Sequence, residues 1–214
     1  MKEHVIVVGL GRFGSAVARE IEALGHEVLA TDIDEAAVNE IAPDVTHAVQ
    51  VDASAEGALA SIGAGDVSTA IVGISGTTEA SIFATMALQT LGVRTIAKAG
   101  SPLHARILER LGAARVVSPE HEAGVRVAHT FNIPGVVDYL VIAPRFGIAR
   151  VVPPPAYLGK AFRELDLQGR FQLTPIALRR GESVVVNPTR DEVMRAGDEL
   201  VLVGRDEGFV RFGD

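Results

Sequence analysis

The chain has 214 residues, 48% of them hydrophobic and 22% charged, the composition of a folded globular protein and not of a disordered one. Its formal net charge of −7 argues against a nucleic-acid partner, which needs a basic face. With no cysteine it has no disulfide framework, no thiolate metal site and no cysteine nucleophile, which fits a reducing cytoplasm.

The start, Met1-Lys2-Glu3-His4, leads straight into a short strand pattern without a signal-peptide layout. No apolar run approaches the roughly 20 residues that span a bilayer, so any membrane role is expected to pass through a partner. Aromatic residues are few (eight Phe, two Tyr, no Trp), which leaves Val, Ile, Leu and Ala to build the core. That suits a parallel sheet covered on both faces by helices. Short apolar runs recur at residues 5–8, 28–31, 47–51, 70–74, 94–97 and 115–117. Between them, stretches such as 13–24 and 81–91 carry apolar positions at three- and four-residue steps. Six such alternations predict an α/β fold, a Rossmann-like doubly wound parallel sheet, over residues 1–120. Right-handed crossovers then align the C-terminal ends of the strands along one ligand-binding edge.

After Glu120 the rhythm changes. A helix is predicted over 120–131, ended by the turn Asn132-Ile133-Pro134-Gly135, so that residues 121–137 read as a crossover helix and hinge. Pro153-Pro154-Pro155 excludes a helix interior or central strand there. A short helix around 160–165 and β-rich segments at 173–178, 183–186 and 199–203 follow. Turns at Arg180-Gly181 and Ala196-Gly197-Asp198 separate them. Residues 138–214 are therefore expected to form a small α+β domain.

The first strand runs into Gly9-Leu10-Gly11-Arg12-Phe13-Gly14 and then a helix. Gly9 is expected to make the tight turn, Gly11 to let a phosphate approach the backbone, and Gly14 to let helix pack on strand. The helix start offers free N–H groups and a positive dipole end to that phosphate. Asp32, with Ile33 beside it, ends the second strand at the distance where a carboxylate accepts from both ribose hydroxyls and repels a 2′-phosphate. The alternative is that Asp32 or Asp34 caps the next helix. Asp52, followed by Ala53, ends the third strand near the expected adenine, and a cap is the alternative there too. Ser75, Lys98 and Glu120 lie at the ends of later strands on the same edge. Arg12 is either a first-turn residue facing water or a guanidinium clamp on a terminal phosphate. The stretch 81–91 puts Ile82, Phe83, Met86 and Leu91 on more than one helix face, as at a subunit contact or a doubly covered helix.

Several stretches together resemble the regulator-of-potassium-conductance family, the cytosolic gating subunits of Trk/Ktr-type bacterial potassium transporters. They are residues 5–14 with Arg12-Phe13, the acids Asp32 and Asp52, Ile96-Ala97-Lys98-Ala99, and the run 111–120 ending Ser118-Pro119-Glu120. The tail also resembles the family's C-terminal domain, through Arg179, Asn187-Pro188-Thr189 and the run 196–204. The resemblance implies a homodimer built through the N-terminal domain and assembled into an octameric ring beneath a membrane-embedded potassium channel or transporter subunit. It implies gating by ATP/ADP exchange, or by NAD/NADH in Trk-type members. By the same resemblance Arg12 reaches the γ-phosphate of ATP partly across the dimer, and Glu120 helps hold Mg²⁺ or another cation. Some relatives bind cyclic di-AMP at the dimer interface of the C-terminal domain; the residues here do not establish such a site, and apolar residues near Ile176 and Asn187 are the ones available to line one.

The rival reading is an NAD-dependent dehydrogenase, which needs a proton donor beside the nicotinamide. All six histidines precede Pro134, and His104, His121 and His129 lie on predicted helices at spacings unsuited to a triad, with surface positions as their default. No catalytic constellation is legible, so the nucleotide is read as a signal and the protein as a non-enzyme.

Overall fold

Strand β1 (His4–Val8) buries four consecutive apolar residues, as a strand covered on both faces must. Ile6 and Val8 enter one core cluster with Val72, Leu88 and Leu108. Val5 and Val7 enter another with Val28, Ala30 and Ile41. The period of two thus feeds two helical layers. The elements that follow are α1 (Arg12–Ala23), β2 (Glu27–Asp32), α2 (Glu35–Ile41), β3 (His47–Gln50), the short α3 (Ala58–Ser61) and β4 (Thr69–Val72). Then come α4 (Thr78–Thr90), β5 (Arg94–Lys98), α5 (Pro102–Arg110) and β6 (Arg115–Val117). All six strands are parallel, in the order β3-β2-β1-β4-β5-β6. The order reverses between β1 and β4, which opens a crevice at their C-terminal ends.

The computed structural model describes residues 2–213, and the chain divides into two units between Pro119 and Glu120. Helix α6 (Pro119–Asn132) leads into the second unit. There β7 (Val136–Ala143), β8 (Phe146–Val151), α7 (Phe162–Leu165), β9 (Leu173–Arg180), β10 (Ser183–Val186), β11 (Asp198–Arg205) and α8 (Asp206–Gly213) follow. The sheet is antiparallel, in the order β10-β9-β11-β8-β7. Its core joins Tyr139, Leu173, Leu178, Leu200 and Leu202 to Phe209 and Phe212 of α8. This is the α+β arrangement expected from the sequence, with three elements that local patterns do not announce: β7, β8 and α8. The β7–β8 turn uses Arg145 at φ 58°, where glycine or asparagine would have signalled a hairpin. Helix α8 carries two glycines and is held by Phe209 and Phe212, one turn apart on its buried face.

One buried ion pair organises the second unit. The Asp198 carboxylate, fully buried, accepts from Arg180 Nε and Nη2 at 2.8 Å each and from the Arg195 N–H at 2.8 Å. Arg180 also reaches Glu192 at 3.1 Å and the Val193 carbonyl at 3.0 Å. One guanidinium thereby ties the loop between β10 and β11 to β9. The Arg180 hydrogen bonds hold the Asp198 carboxyl below its ordinary range. A depressed carboxylate stabilises the fold above the unfolded pKa of about 3.9, and that contribution is lost as pH falls through the folded value.

Among the described residues no helix is long and apolar enough to cross a membrane.

Asp198→Asn is expected to lower the unfolding free energy by about 2 kcal/mol near neutral pH, since Arg180 is partly exposed and the full cost of a broken buried pair does not apply. Urea unfolding as a function of pH checks this: the gap from wild type should close as the pH falls below about 4.

Candidate nucleotide site

Three of the glycines around the crevice serve the fold itself. Gly9 has a φ of 94°, which other residues rarely adopt, and a Cβ there would lie 2.7 Å from the Ile74 nitrogen. A Cβ on Gly14 would overlap the Gly9 carbonyl, and one on Gly73 would stand 3.0 Å from that same oxygen. The turn after β1, the first turn of α1 and the end of β4 therefore meet backbone to backbone.

Gly11 differs. Its φ of −63° and ψ of −177° suit any residue, and a Cβ built on it meets nothing within 4 Å. Among the described residues none comes close enough to require glycine there. Gly11 lines a cavity of about 460 Å³ with Gly9, Asp32, Ile33, Asp52, Ala53, Ser75 and Thr77, at the C-terminal ends of β1 to β4. A side chain at 11 would take up cavity space that an occupant needs.

Helix α1 starts at this cavity without a capping side chain and without an acid in its first turn. By contrast Asp34, Thr77 and Ser101 cap α2, α4 and α5. An uncapped start leaves N–H groups and a positive dipole end for an anion.

The Asp32 carboxylate accepts from the Leu10 N–H at 2.6 Å and from the Asp34 N–H at 2.9 Å. It therefore clamps the glycine loop while lining the cavity. Each oxygen keeps a further acceptor position for a sugar hydroxyl. Asp34, accepting from the Ala36 N–H at 3.0 Å, is the cap of α2. Asp52 is not a helix cap either: it accepts from Ser54 N–H at 2.9 Å and Ser54 Oγ at 2.6 Å, while Gly57 stands at the cap of α3. These Ser54 bonds hold its carboxyl below the ordinary range.

Ser75 links the cavity to β5. Its hydroxyl donates to the Gly73 carbonyl at 3.3 Å and accepts from Lys98 Nζ at 3.1 Å. Lys98 is buried and stands 5.9 Å from the centre of the Phe13 ring. Phe13, Gly14 and Lys98 thus support the crevice from behind and do not line it. Arg12, the first residue of α1, is exposed and also outside the lining. Glu120 lies in the first turn of α6, in the second unit. Gly76, Thr77 and Ala80 line the cavity from the start of α4, and the strand-end motifs do not single them out. The one local signal for them is Thr77, a threonine just before an apolar helix.

The surface default for histidine fails at His104, which is 4% exposed. Its Nδ1 accepts from the Gly100 N–H at 3.2 Å, and burial pushes its pKa down. Among the described residues no three His, Asp or Glu side chains gather as a metal site.

An open parallel sheet in this order, with a glycine turn and a crevice at the strand ends, defines a Rossmann-type domain, here carried with a C-terminal antiparallel domain. Residues 5–119 match the TrkA-N domain model and residues 147–212 the TrkA-C domain model. The chain belongs to the Trk/Ktr family of potassium-uptake regulatory subunits.

It is 35% identical to the Ktr system potassium uptake protein C of Bacillus subtilis (strain 168), over 99% of this chain and 96% of that protein. It is 32% identical to the Ktr system potassium uptake protein A of the same organism, over 96% of this chain and 93% of that protein. The solved GsuK channel bound to NAD shares the fold, with a TM-score of 0.53 and 23% identity over 99% of this chain and 38% of that one. GsuK bound to ADP gives a TM-score of 0.50 and 26% identity, over 59% of this chain and 32% of that one. The chain therefore spans well under half the length of these solved channel chains.

The glycines should separate in stability. Gly11→Ala is expected to leave the melting temperature within a degree or so of wild type, whereas Gly14→Ala should lower it by roughly 5 °C or more, as overpacking of 1–3 kcal/mol would. Differential scanning calorimetry of the two variants measures the contrast.

Proposed function

We propose that this chain is the nucleotide-sensing gating subunit of a potassium channel or transporter, reading ATP against ADP. The observation that carries the nucleotide is Gly11, a glycine with no internal need for one, at an uncapped helix start beside a cavity. In this reading the α1 N-terminus and the glycine-loop N–H groups hold a phosphate, Asp32 accepts from the ribose hydroxyls, and Ile33, Asp52 and Ala53 flank the base. Ser75 and Lys98 stiffen the cavity wall, and Lys98 adds positive charge behind it.

Arg12 is assigned to the third phosphate, reached by its outward guanidinium across a homodimer. Glu120 would contribute one oxygen ligand to a cation only together with the phosphates and a second copy, because one carboxylate is a poor site alone. Exposed Phe83 and Met86 beside a groove of about 590 Å³ between α3 and α4 support self-association, here proposed as a dimer that builds an octameric ring. The assembly works at the inner face of the membrane through a membrane-embedded partner. The nucleotide is a signal and is not turned over. The second reading is NAD/NADH, since the ribose clamp and glycine loop serve either ligand and a GsuK structure is described with each of NAD and ADP.

A thermal-shift series with ATP, ADP, NAD and NADH, with and without Mg²⁺, separates the two readings, because tight binding raises the melting temperature by mass action. ATP and ADP are expected to stabilise; a shift from NAD(H) alone would move the assignment to the second reading. Arg12→Gln should weaken ATP about tenfold and leave ADP unchanged, in line with one lost charge-assisted contact. Gly11→Ala and Asp32→Ala should weaken every nucleotide.

Phe83→Asp should reduce the assembly mass in light scattering while the melting profile stays cooperative. An unchanged mass would remove the α3–α4 groove from the contact.

A further inference from the structure

The second unit leaves one strand of its sheet bare. Strand β10 (Ser183–Val186) stands at the end of the order β10-β9-β11-β8-β7, and among the described residues no strand lies on its outer side. All four of its residues are exposed, and three are consecutive valines: Val184 is 59% exposed, Val185 38% and Val186 70%. A free edge of β-branched residues invites another strand, and folds usually blunt such edges with a charge, a proline or a bulge. The opposite edge, β7, is blunted. Its pairing with β8 shifts register between Val136 and Asp138 and again between Val141 and Ala143, and Asp138 holds an ion pair with Arg126. Strand β10 has none of these devices: its register with β9 runs unbroken from Ser183 to Val186, and Pro188 lies just beyond it.

The ladder to β9 fixes which groups face outward. The Asn187 N–H donates to the Ile176 carbonyl at 3.0 Å. Backbone groups alternate along a strand, so Val185 and Ser183 also turn theirs toward β9, whereas Val184 and Val186 present N–H and C=O to the bare side. Side chains alternate as well. Val185 lies opposite Leu178, which is buried in the core, and Val184 lies opposite the exposed Arg179. Val185 therefore belongs to the helix-covered face, and Val184 and Val186 to the other.

A second copy of β10 is complementary to this edge. A two-fold axis normal to the sheet keeps each face on its own side, so facing residues must share a face and the axis must pass through a residue, not between two. An axis at Val186 would set Val184 against Pro188, which has no N–H to give. An axis at Val184 would set Val186 against Glu182, a turn residue outside the strand. An axis at Val185 sets Val184 against Val186 of the second copy, and Val186 against its Val184. Each of these pairs exchanges two N–H···O bonds, and Val185 meets Val185 of the second copy as a non-hydrogen-bonded pair.

We propose that β10 pairs antiparallel with β10 of a second copy, centred on Val185, so that two second units share one continuous sheet. The outward N–H and C=O groups of Val184 and Val186 are then satisfied, and the valines cover one another on both faces. The contact is separate from the α3–α4 groove of the first unit and does not depend on which nucleotide binds.

The test uses the full chain, in which an introduced cysteine is the only thiol. In Val185→Cys the paired Cα atoms would stand about 4.5 Å apart, within the disulfide range of about 4.4–6.8 Å. In Ser183→Cys, on the same face, the two copies of the residue would be about 14 Å apart and out of reach. Copper-phenanthroline oxidation at equal protein concentration, read on non-reducing gels, is expected to cross-link Val185→Cys about tenfold faster or more than Ser183→Cys. Adding Val186→Pro removes an outward N–H and leaves the β9 ladder intact, and should cut that rate about tenfold while thermal melting stays cooperative. Equal rates for the two cysteines, or a Val185→Cys rate that Val186→Pro leaves unchanged, would overturn the pairing. If the proline variant does not fold, Val184→Lys serves in its place, since it puts a charge into each Val184–Val186 pair and blocks the edge.

Discussion

Backbone packed directly on backbone at the crossing of β1, α1 and β4 is the constraint on which the first unit depends. The Gly9 carbonyl sits where a Cβ on Gly14 or Gly73 would have to be, and Gly9 itself presses on Ile74. Only hydrogen atoms fit in those gaps, so α1 approaches the sheet closely enough to aim its N-terminus at the crevice. The same packing brings the end of β4 beside the glycine turn, which places Ser75 and Thr77 on the cavity wall. Loosening any of these contacts would move the helix start, and with it the N–H groups available to an anion.

Asp32 adds a second tie to that geometry. By accepting from the Leu10 N–H it connects the end of β2 to the glycine loop, so the carboxylate proposed to meet a sugar also holds the loop proposed to meet a phosphate. A bound ribose and a bound phosphate would therefore be felt by one side chain. The second unit uses carboxylates in a comparable way: Asp198 anchors a loop through Arg180, and Asp206 joins α8 to β7 through Tyr139. In each case a buried or half-buried acid is satisfied by donors from elements far apart in sequence, and that is how small sheets with modest cores hold long connections.

Much of the first unit is legible in the sequence, because its signals are local. The six apolar runs fall on the six parallel strands, and the glycines mark the turn where β1 passes into α1. The site is legible in part: Gly9, Gly11, Asp32, Ile33, Asp52, Ala53 and Ser75 line one cavity, while Phe13, Gly14 and Lys98 stand behind it. The second unit is harder to read. Strand β7 is an edge strand with Leu140, Val141 and Ile142 exposed, so its apolar run lacks the alternation that marks a half-buried strand. Its hairpin turns on Arg145 at positive φ, a residue with no turn signature. Helix α8 is too short and too rich in glycine for its own propensity to announce it.

By itself the sequence determined the strand and helix alternation, the glycine turn and the acid after the second strand, since each is written in neighbouring residues through periodicity, backbone freedom and charge. Only the tertiary structure decided what those groups do to one another. It separated Gly11, which faces open space, from Gly9 and Gly14, which face backbone. It also gave Asp32 a clamp on Leu10 and brought His129 against the distant Asp206. Such pairings depend on how the strands and helices pack across the fold, and no local pattern of residues carries that distance.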